Sequence, residues 1–139
     1  MRIDRLLEAS VYVEDMARAV EFYECVLGFR GLAKSAEPYR LTALDIGGKQ
    51  VLLLCKKGAS TEGVDTPGGR IPPFDGSGTG HLAFPIPASD LQPWEKHLAD
   101  HGVVIESKVN WERGGQSLYF RDPDGNLLEL VTPGLWATY

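Results

Sequence analysis

The sequence predicts an α+β fold in which two βαβββ modules, in a pseudo-twofold arrangement, form a curved mixed sheet that lines a cavity, with the helices outside. The first observation is an internal repeat. Residues 7–29 and 80–103 each show a strand pattern, then a helical pattern that ends in glycine, and each leads to a short β-hairpin. The second observation is that both modules carry apolar strand faces and apolar helix stripes. A strongly twisted sheet with outer helices is the simplest way to bury both.

The first module, about residues 1–57, begins with a strand in which apolar and polar residues alternate. Glu8 and Ser10 therefore share the polar face of that strand. Asp15 is suited to cap the helix that follows, and Gly28 supplies the left-handed residue that ends it. A weak strand is predicted near 31–35. Residues 40–46 and 49–55 flank Gly47-Gly48 and predict a hairpin.

A stretch rich in glycine and proline, residues 58–79, joins the two modules within a single predicted domain, 1–139. Pro67-Gly68-Gly69 and Pro72-Pro73 predict that no regular element forms there. Loops of this length are commonly functional or mobile. We therefore expect this loop either to cover a site or to reach a partner subunit.

The second module, about residues 80–139, opens with a strand that places His81 opposite an apolar face. The segment Ser89-Asp90-Leu91-Gln92 predicts a capping box at the start of a helix, and Gly102 predicts its end. Two strands, 117–121 and 126–131, flank the tight turn Asp122-Pro123-Asp124-Gly125. In the last strand, alternation places Glu129 on the face opposite two leucines.

Composition excludes several classes of partner. A net charge of −5 without a run of lysines or arginines argues against nucleic acid and anionic membranes, so a small molecule is the expected ligand. The two scattered cysteines favour reduced thiols over a disulfide. No uncharged apolar run approaches the length that spans a membrane, and we expect a cytoplasmic protein.

Three side chains form a candidate metal site. Superimposing the two halves of the repeat places Glu8 on His81, and Glu129 lies on the adjacent polar strand face. Two carboxylates and an imidazole suit Mn²⁺, Fe²⁺, Co²⁺, Ni²⁺ or Zn²⁺, and three protein ligands leave positions open for substrate. Aligning Gly48 with Gly125 puts Leu52 at the position of Glu129, which leaves Gln50 on that face as a weak substitute and favours three ligands.

Each of these residues also has a simpler interpretation. A single strand glutamate is most often a solvated edge residue, and His81 alone could be a hydrogen-bonded core histidine. His97 and His101 are more often structural or solvated than catalytic. Four further residues are expected near the cavity and are candidates for substrate binding, although the aromatic ones are more often core or interface residues: Arg40, Trp111, Arg113 and Tyr119.

Several segments resemble the vicinal oxygen chelate superfamily over nearly the whole chain. They are 12–16, 22–29, the strand Gly80-His81-Leu82-Ala83-Phe84, and 119–130, which contains Asp122-Pro123-Asp124-Gly125-Asn126-Leu127-Leu128-Glu129. That group contains glyoxalases, extradiol dioxygenases, fosfomycin-resistance transferases and bleomycin-binding proteins. The resemblance implies that His81 and Glu129 are metal ligands. It also implies a homodimer, and Glu8 stands where many members have histidine.

Two functions follow from these observations. The first is a metal-dependent enzyme that chelates vicinal oxygens of a small substrate, with glyoxalase-like lyase or isomerase chemistry or dioxygenase-type chemistry. In the isomerase version Glu8 or Glu129 acts as the base. The alternative is a metal-free protein of the bleomycin-resistance type that binds and sequesters a drug or metabolite. Such a protein needs aromatic walls such as Trp111 more than a ligand triad.

Overall fold

The computed structural model describes residues 2–34 and 40–138, which fall into two compact units, Met1–Thr79 and Gly80–Tyr139. Each unit combines an α-helix with a four-stranded mixed sheet, so the predicted α+β class is confirmed. Within the described ranges, no helix has the length and apolar character that crossing a membrane requires.

The first unit has the order βαβββ. Its elements are β1 (Glu8–Val13), α1 (Met16–Cys25), β2 (Arg30–Lys34), β3 (Leu41–Ile46) and β4 (Gln50–Lys56). The strands lie in the order β1-β4-β3-β2, with β1 parallel to β4 and the other pairs antiparallel. The predicted hairpin around Gly47-Gly48 is therefore confirmed as β3 and β4.

Helix α1 begins and ends where the sequence predicts. The side chain of Asp15 accepts a hydrogen bond from the backbone N–H of Arg18 at 3.1 Å, which satisfies one of the amides left free in the first turn. Gly28 follows the helix with φ of +69°, a conformation that glycine adopts without strain. One face of the helix is buried, and it carries Met16, Ala19 and Tyr23.

The linker contains a small hairpin that the sequence reasoning missed. Strands β5 (Val64–Thr66) and β6 (Gly69–Ile71) pair antiparallel, so the prediction of no regular element was wrong. Pro67 and Gly68 form the turn between the two strands and do not interrupt either one. The hairpin is closed by a hydrogen bond from the Thr66 hydroxyl to the Gly69 carbonyl at 2.6 Å, and Arg70 pairs with Asp65.

Asp75, in the later part of the linker, is hydrogen-bonded to the residues that follow β4. Its carboxylate accepts hydrogen bonds from the backbone N–H groups of Gly58, Ser60 and Gly76 at 3.2, 3.1 and 2.8 Å. These bonds, that of Ser60 foremost, lower the pKa of Asp75, although partial burial acts in the other direction. The linker is thus held by a charged group at this point.

The second unit repeats the topology of the first. Its elements are β7 (His81–Pro85), a 3₁₀ turn (Ala88–Asp90), α2 (Leu91–Asp100), β8 (Ser107–Asn110), β9 (Gln116–Arg121) and β10 (Leu127–Val131). The sheet order is β7-β10-β9-β8, again with the first pair parallel and the others antiparallel. The twofold occurrence of βαβββ is confirmed.

The predicted capping box does not form at the start of α2. The hydroxyl of Ser89 donates to the carboxylate of Asp90 at 2.8 Å, and no side chain caps the first turn. The reason is the 3₁₀ turn, which places Ser89 within a preceding turn and not at the cap position. Gly102 ends the helix with φ of +69°, as predicted.

Strand register corrects the alignment of the two halves by one residue. Glu129 stands two residues beyond the first residue of β10, and its counterpart in the first unit is Leu53, not Leu52. The parallel pairs that fix this comparison are Glu8 with Val51 and His81 with Leu127. The alignment of Gly48 with Gly125 failed because the two strands begin differently. Strand β4 begins at Gln50, one residue before its first pairing with β1, whereas β10 begins at Leu127, which is already paired with β7. Position 53 is also apolar, so the inference that the first unit offers no carboxylate there is unchanged.

Candidate metal centre

His81 and Glu129 are brought together by two neighbouring parallel strands. His81 is the first residue of β7 and pairs with the first residue of β10, and Glu129 follows two residues later on the same side of the sheet. The Nε2 atom of His81 lies 3.2 Å from Oε2 of Glu129. The Glu129 side chain is only 3% exposed, whereas that of His81 is 48% exposed. The pair therefore has a buried carboxylate and an accessible imidazole.

The hydrogen bond on the other ring nitrogen determines how His81 faces Glu129. Its Nδ1 atom lies 3.1 Å from the backbone carbonyl of Leu127. A carbonyl only accepts, so Nδ1 carries the proton, and Nε2 of a neutral imidazole presents a lone pair to the carboxylate oxygen. Two lone pairs at this distance repel each other, so either a proton or a bound cation lies between the two atoms. Metal-binding histidines commonly donate their other N–H group to a carbonyl in this way.

The donor set of this pair fits a divalent metal ion. One imidazole nitrogen and one carboxylate oxygen, without a thiolate, are ligands that suit Mn²⁺, Fe²⁺, Co²⁺, Ni²⁺ and Zn²⁺. Within residues 2–34 and 40–138, no three His, Cys, Asp or Glu side chains are grouped closely enough to hold a metal ion. The structure thus brings two side chains of the predicted set together within the second unit.

The predicted third ligand, Glu8, belongs to the other unit. It is the first residue of β1, and its side chain is exposed. Ser10 and Tyr12 lie on the same face of the strand. Ser10 hydrogen-bonds the buried thiol of Cys55, whose pKa is raised, first by burial and then by the charges of Asp75 and Glu8. The raised pKa favours the protonated thiol at Cys55, and both cysteines, Cys25 and Cys55, are free, in agreement with the expectation of reduced cysteines.

A buried polar turn fixes the position of His81, and the sequence reasoning missed its role. The backbone N–H of Gly80 donates to Oδ1 of Asn126 at 2.8 Å, and the Gly80 carbonyl accepts from the N–H of Leu127 at 2.9 Å. The side chain and the backbone N–H of Asn126 both donate to Asp122, at 2.7 and 2.8 Å. Asn126 is 2% exposed and Asp122 5% exposed. The turn between β9 and β10 therefore anchors the residue that precedes His81.

Tyr119, predicted as a substrate-binding residue, lies beside the pair. It is the antiparallel partner of Glu129, and its ring centroid is 6.2 Å from that of His81. Burial raises the pKa of Tyr119, and the hydrogen bond to Glu129 and the negative charge of that carboxylate raise it further. A hydrogen bond with Ser117 acts in the opposite direction. Tyr119 is therefore a protonated phenol that can donate to the carboxylate.

Ser117 is a residue of this site that the sequence reasoning did not identify. Its hydroxyl donates to Oε1 of Glu129 and accepts from Nε1 of Trp111, the latter at 2.7 Å. Ser117 is 1% exposed. The sequence contained one usable signal, because Ser117 and Tyr119 are two residues apart and so share a strand face. What it did not contain was the register that brings this face beside Glu129.

The two predicted arginines have different surroundings. Arg40, in the first unit, is half-buried, and its Nε donates to the carbonyl of Ala59 at 2.9 Å, with a second bond from its terminal nitrogen to the same oxygen. Arg113, in the second unit, is exposed on the turn between β8 and β9. His97 lies on α2 and His101 is the C-cap residue of that helix, with the two ring centroids 4.2 Å apart. None of the contacts described above joins either of these histidines to His81 or Glu129.

Known proteins share the sequence and the fold of this chain. It is 31% identical over 131 residues to the metallothiol transferase FosB of Staphylococcus saprophyticus subsp. saprophyticus, a match that covers 94% of this chain and 78% of that protein. It is 47% identical over 53 residues to FosB of Bacillus licheniformis, but that match covers 37% of this chain and only 34% of the relative. The crystal structure of lactoylglutathione lyase from Agrobacterium tumefaciens superposes with a TM-score of 0.88 at 27% identity, over 99% of both chains. The family model for the Glyoxalase/Bleomycin resistance protein/Dioxygenase superfamily matches residues 2–130, and the chain therefore belongs to that superfamily.

Proposed function

We propose that this protein is a divalent-metal-dependent enzyme that acts on a small substrate through two adjacent oxygens. The observation that carries the proposal is the pair formed by His81 Nε2 and Glu129 Oε2, 3.2 Å apart, with Nδ1 of the histidine occupied by a carbonyl. Glu8 is proposed as the third ligand. The metal is one of Mn²⁺, Fe²⁺, Co²⁺, Ni²⁺ and Zn²⁺, for which this donor set is suitable.

The names of the relatives support a substrate that contains a thiol or a thiol adduct. FosB is named as a metallothiol transferase, and the similar crystal structure is that of a lyase for lactoylglutathione. We therefore place glyoxalase-like lyase or isomerase chemistry first, with thiol transfer and dioxygenase chemistry as the other reactions to be tested. The substrate proposed is a small oxygen-chelating molecule joined to, or attacked by, a low-molecular-weight thiol.

The side chains around the pair have distinct proposed roles in such a reaction. A bound divalent ion would supply Lewis-acid polarisation of a substrate oxygen. Glu8 or Glu129, both proposed as ligands, would leave the metal and remove a proton next to that oxygen as the base. The protonated hydroxyl of Tyr119 would donate a hydrogen bond to the substrate or to the carboxylate. Arg40, Trp111 and Arg113 remain proposed substrate-binding residues.

Metal analysis of the purified protein tests the proposal directly. We expect about one divalent ion per chain or per site in the wild type, and its loss in Glu8→Gln, His81→Ala and Glu129→Gln, because each removes a ligand. Glu106→Gln is the matched control, since Glu106 is an exposed glutamate that pairs with Arg121. The same set is then assayed with α-ketoaldehyde adducts of glutathione, with fosfomycin plus a thiol, and with catechols.

Two outcomes would contradict the enzyme. If the wild-type protein contains no metal and binds none of the five ions on incubation, the proposed metal-dependent enzyme is contradicted. If that metal-free protein binds bleomycin or another drug equally well in all variants, the sequestration function replaces the proposed enzyme.

A homodimer is proposed as well. Light scattering on the purified protein, as it leaves a gel-filtration column, tests it.

A further inference from the structure

We propose that Ser117, held by Trp111, is the positioning residue that orients the Glu129 carboxylate for metal binding. The inference rests on the proposed function, because it assigns Ser117 a role in presenting a ligand. It concerns two residues that form a continuous chain of hydrogen bonds with the carboxylate. The indole N–H of Trp111 lies 2.7 Å from Oγ of Ser117, and Ser117 in turn contacts Oε1 of Glu129.

The direction of this chain follows from what each group is able to donate. An indole nitrogen only donates, so Oγ of Ser117 acts as the acceptor for Trp111. An ionised carboxylate only accepts, so the single hydroxyl proton of Ser117 points to Glu129. The phenol of Tyr119 also hydrogen-bonds Ser117, but an ionised carboxylate is the stronger acceptor, so the serine proton is assigned to Glu129. Trp111 occupies a lone pair of Oγ and leaves the hydroxyl proton for the carboxylate.

The bond from Ser117 determines which carboxylate oxygen remains available. Oε1 is occupied by the serine, whereas Oε2 is the atom that faces Nε2 of His81. A carboxylate in a strand can rotate about its last torsion, which is broad. A buried donor on one oxygen restricts that rotation and keeps the other oxygen directed at the imidazole. Hydrogen-bonded partners of this kind typically change metal affinity when they are removed.

Trp111 is itself held in place by a tight turn. Its backbone N–H donates to the carbonyl of Gly115 at 2.8 Å, and its carbonyl accepts from the N–H of Gly114 at 2.9 Å. Gly115 packs against the backbone of Gly134, where an added Cβ would lie 2.7 Å from a carbonyl carbon. The turn therefore holds the backbone of Trp111, and the indole N–H of that residue is bonded to Ser117. Trp111 thus has a positioning role in addition to the substrate-binding role predicted from the sequence.

Metal affinity is the first measurement. Titration calorimetry with Mn²⁺ and Ni²⁺ is expected to show binding weakened by about 10–100-fold in Ser117→Ala. Trp111→Phe, which removes the indole donor but keeps an aromatic ring, is expected to weaken binding less. Ser117→Thr retains the hydroxyl and should restore most of the affinity. Ser89→Ala, at an exposed serine that bonds only Asp90 among the contacts described, is the matched control and should bind like the wild type.

An NMR measurement on the metal-free protein separates this inference from the proposed function. The indole N–H resonance of Trp111, assigned with Trp111→Phe, should shift in Glu129→Gln because the serine hydroxyl transmits the change. The shift should be absent when Glu129→Gln is combined with Ser117→Ala. Wild-type metal affinity in Ser117→Ala, or an indole resonance unaffected by Glu129→Gln, overturns the positioning role. A wild type that binds no metal overturns the proposed function, while the indole measurement still decides whether the chain of hydrogen bonds exists.

Discussion

Replacing Asn126 by alanine tests how the polar turn between β9 and β10 supports both the fold and the site. The amide side chain makes two bonds, one from the Gly80 N–H and one to Asp122, and it is almost fully buried. Alanine has no polar side-chain atom, so both Gly80 and Asp122 lose the hydrogen bond to the side chain of residue 126. The buried carboxylate of Asp122 loses a partner, which costs about 1–3 kcal/mol, whereas the exposed Gly80 loses only the net value of one hydrogen bond, about 0.5–1.5 kcal/mol, so the free energy of unfolding should fall by about 1.5–4.5 kcal/mol.

Urea unfolding, followed by tryptophan fluorescence, measures this loss. For small proteins the dependence on urea is about 1–3 kcal/mol per molar, so a loss of about 3 kcal/mol moves the midpoint by about 1–3 M. The slope should not change, because the native state stays compact. Metal affinity should also fall, since Gly80 immediately precedes His81 and loses the bond that fixes it.

Asn110→Ala provides the comparison within the same unit. Asn110 is exposed, and its side chain accepts from Gln116 at 2.8 Å, so its removal should cost less than about 0.5 kcal/mol. If Asn126→Ala loses no more stability than Asn110→Ala, the argument from buried hydrogen bonds is refuted. If it loses stability but keeps wild-type metal affinity, the link between this turn and His81 is refuted.

Three further predictions concern other parts of the chain. Asp75→Asn should destabilise the protein and speed proteolysis of the linker near neutral pH. Since the pKa of Asp75 is lowered in the fold, its stabilising effect is fully present above the ordinary aspartate value of 3.8 and is lost as pH falls through the lowered pKa, so the difference between the two proteins in urea unfolding should shrink as the pH is taken below 3.8. Gly115→Ala should cost about 1–3 kcal/mol in urea unfolding because its Cβ would meet the backbone of Gly134, whereas Gly68→Ala, with open space around it, should be nearly neutral; equal effects would exclude a steric cause. Thr42→Val should leave stability unchanged or raise it by about 1 kcal/mol in thermal unfolding, because the buried hydroxyl of Thr42 has no hydrogen-bond partner among the described atoms, and a marked loss would show that it has one.

Local patterns predicted most of the fold because their causes lie within a few residues of each other. The cap at Asp15 and the glycine at the end of each helix were read correctly, since a cap contacts the backbone three residues away. The errors arose where two local signals competed. Pro67 and Gly68 were taken as breakers when they form a turn, and Ser89 was taken as a cap when a 3₁₀ turn occupies its position.

The sequence by itself determined the α+β class, the repeated βαβββ order and the polar faces that carry His81 and Glu129, because periodicity and turn chemistry are short-range properties. Only the tertiary structure decided which atoms meet. The distance of 3.2 Å between these two side chains, and the bond that gives Ser117 its role, depend on strand register. Register is set by pairing between residues far apart in the chain, and a shift of one residue moves every side chain to the opposite face.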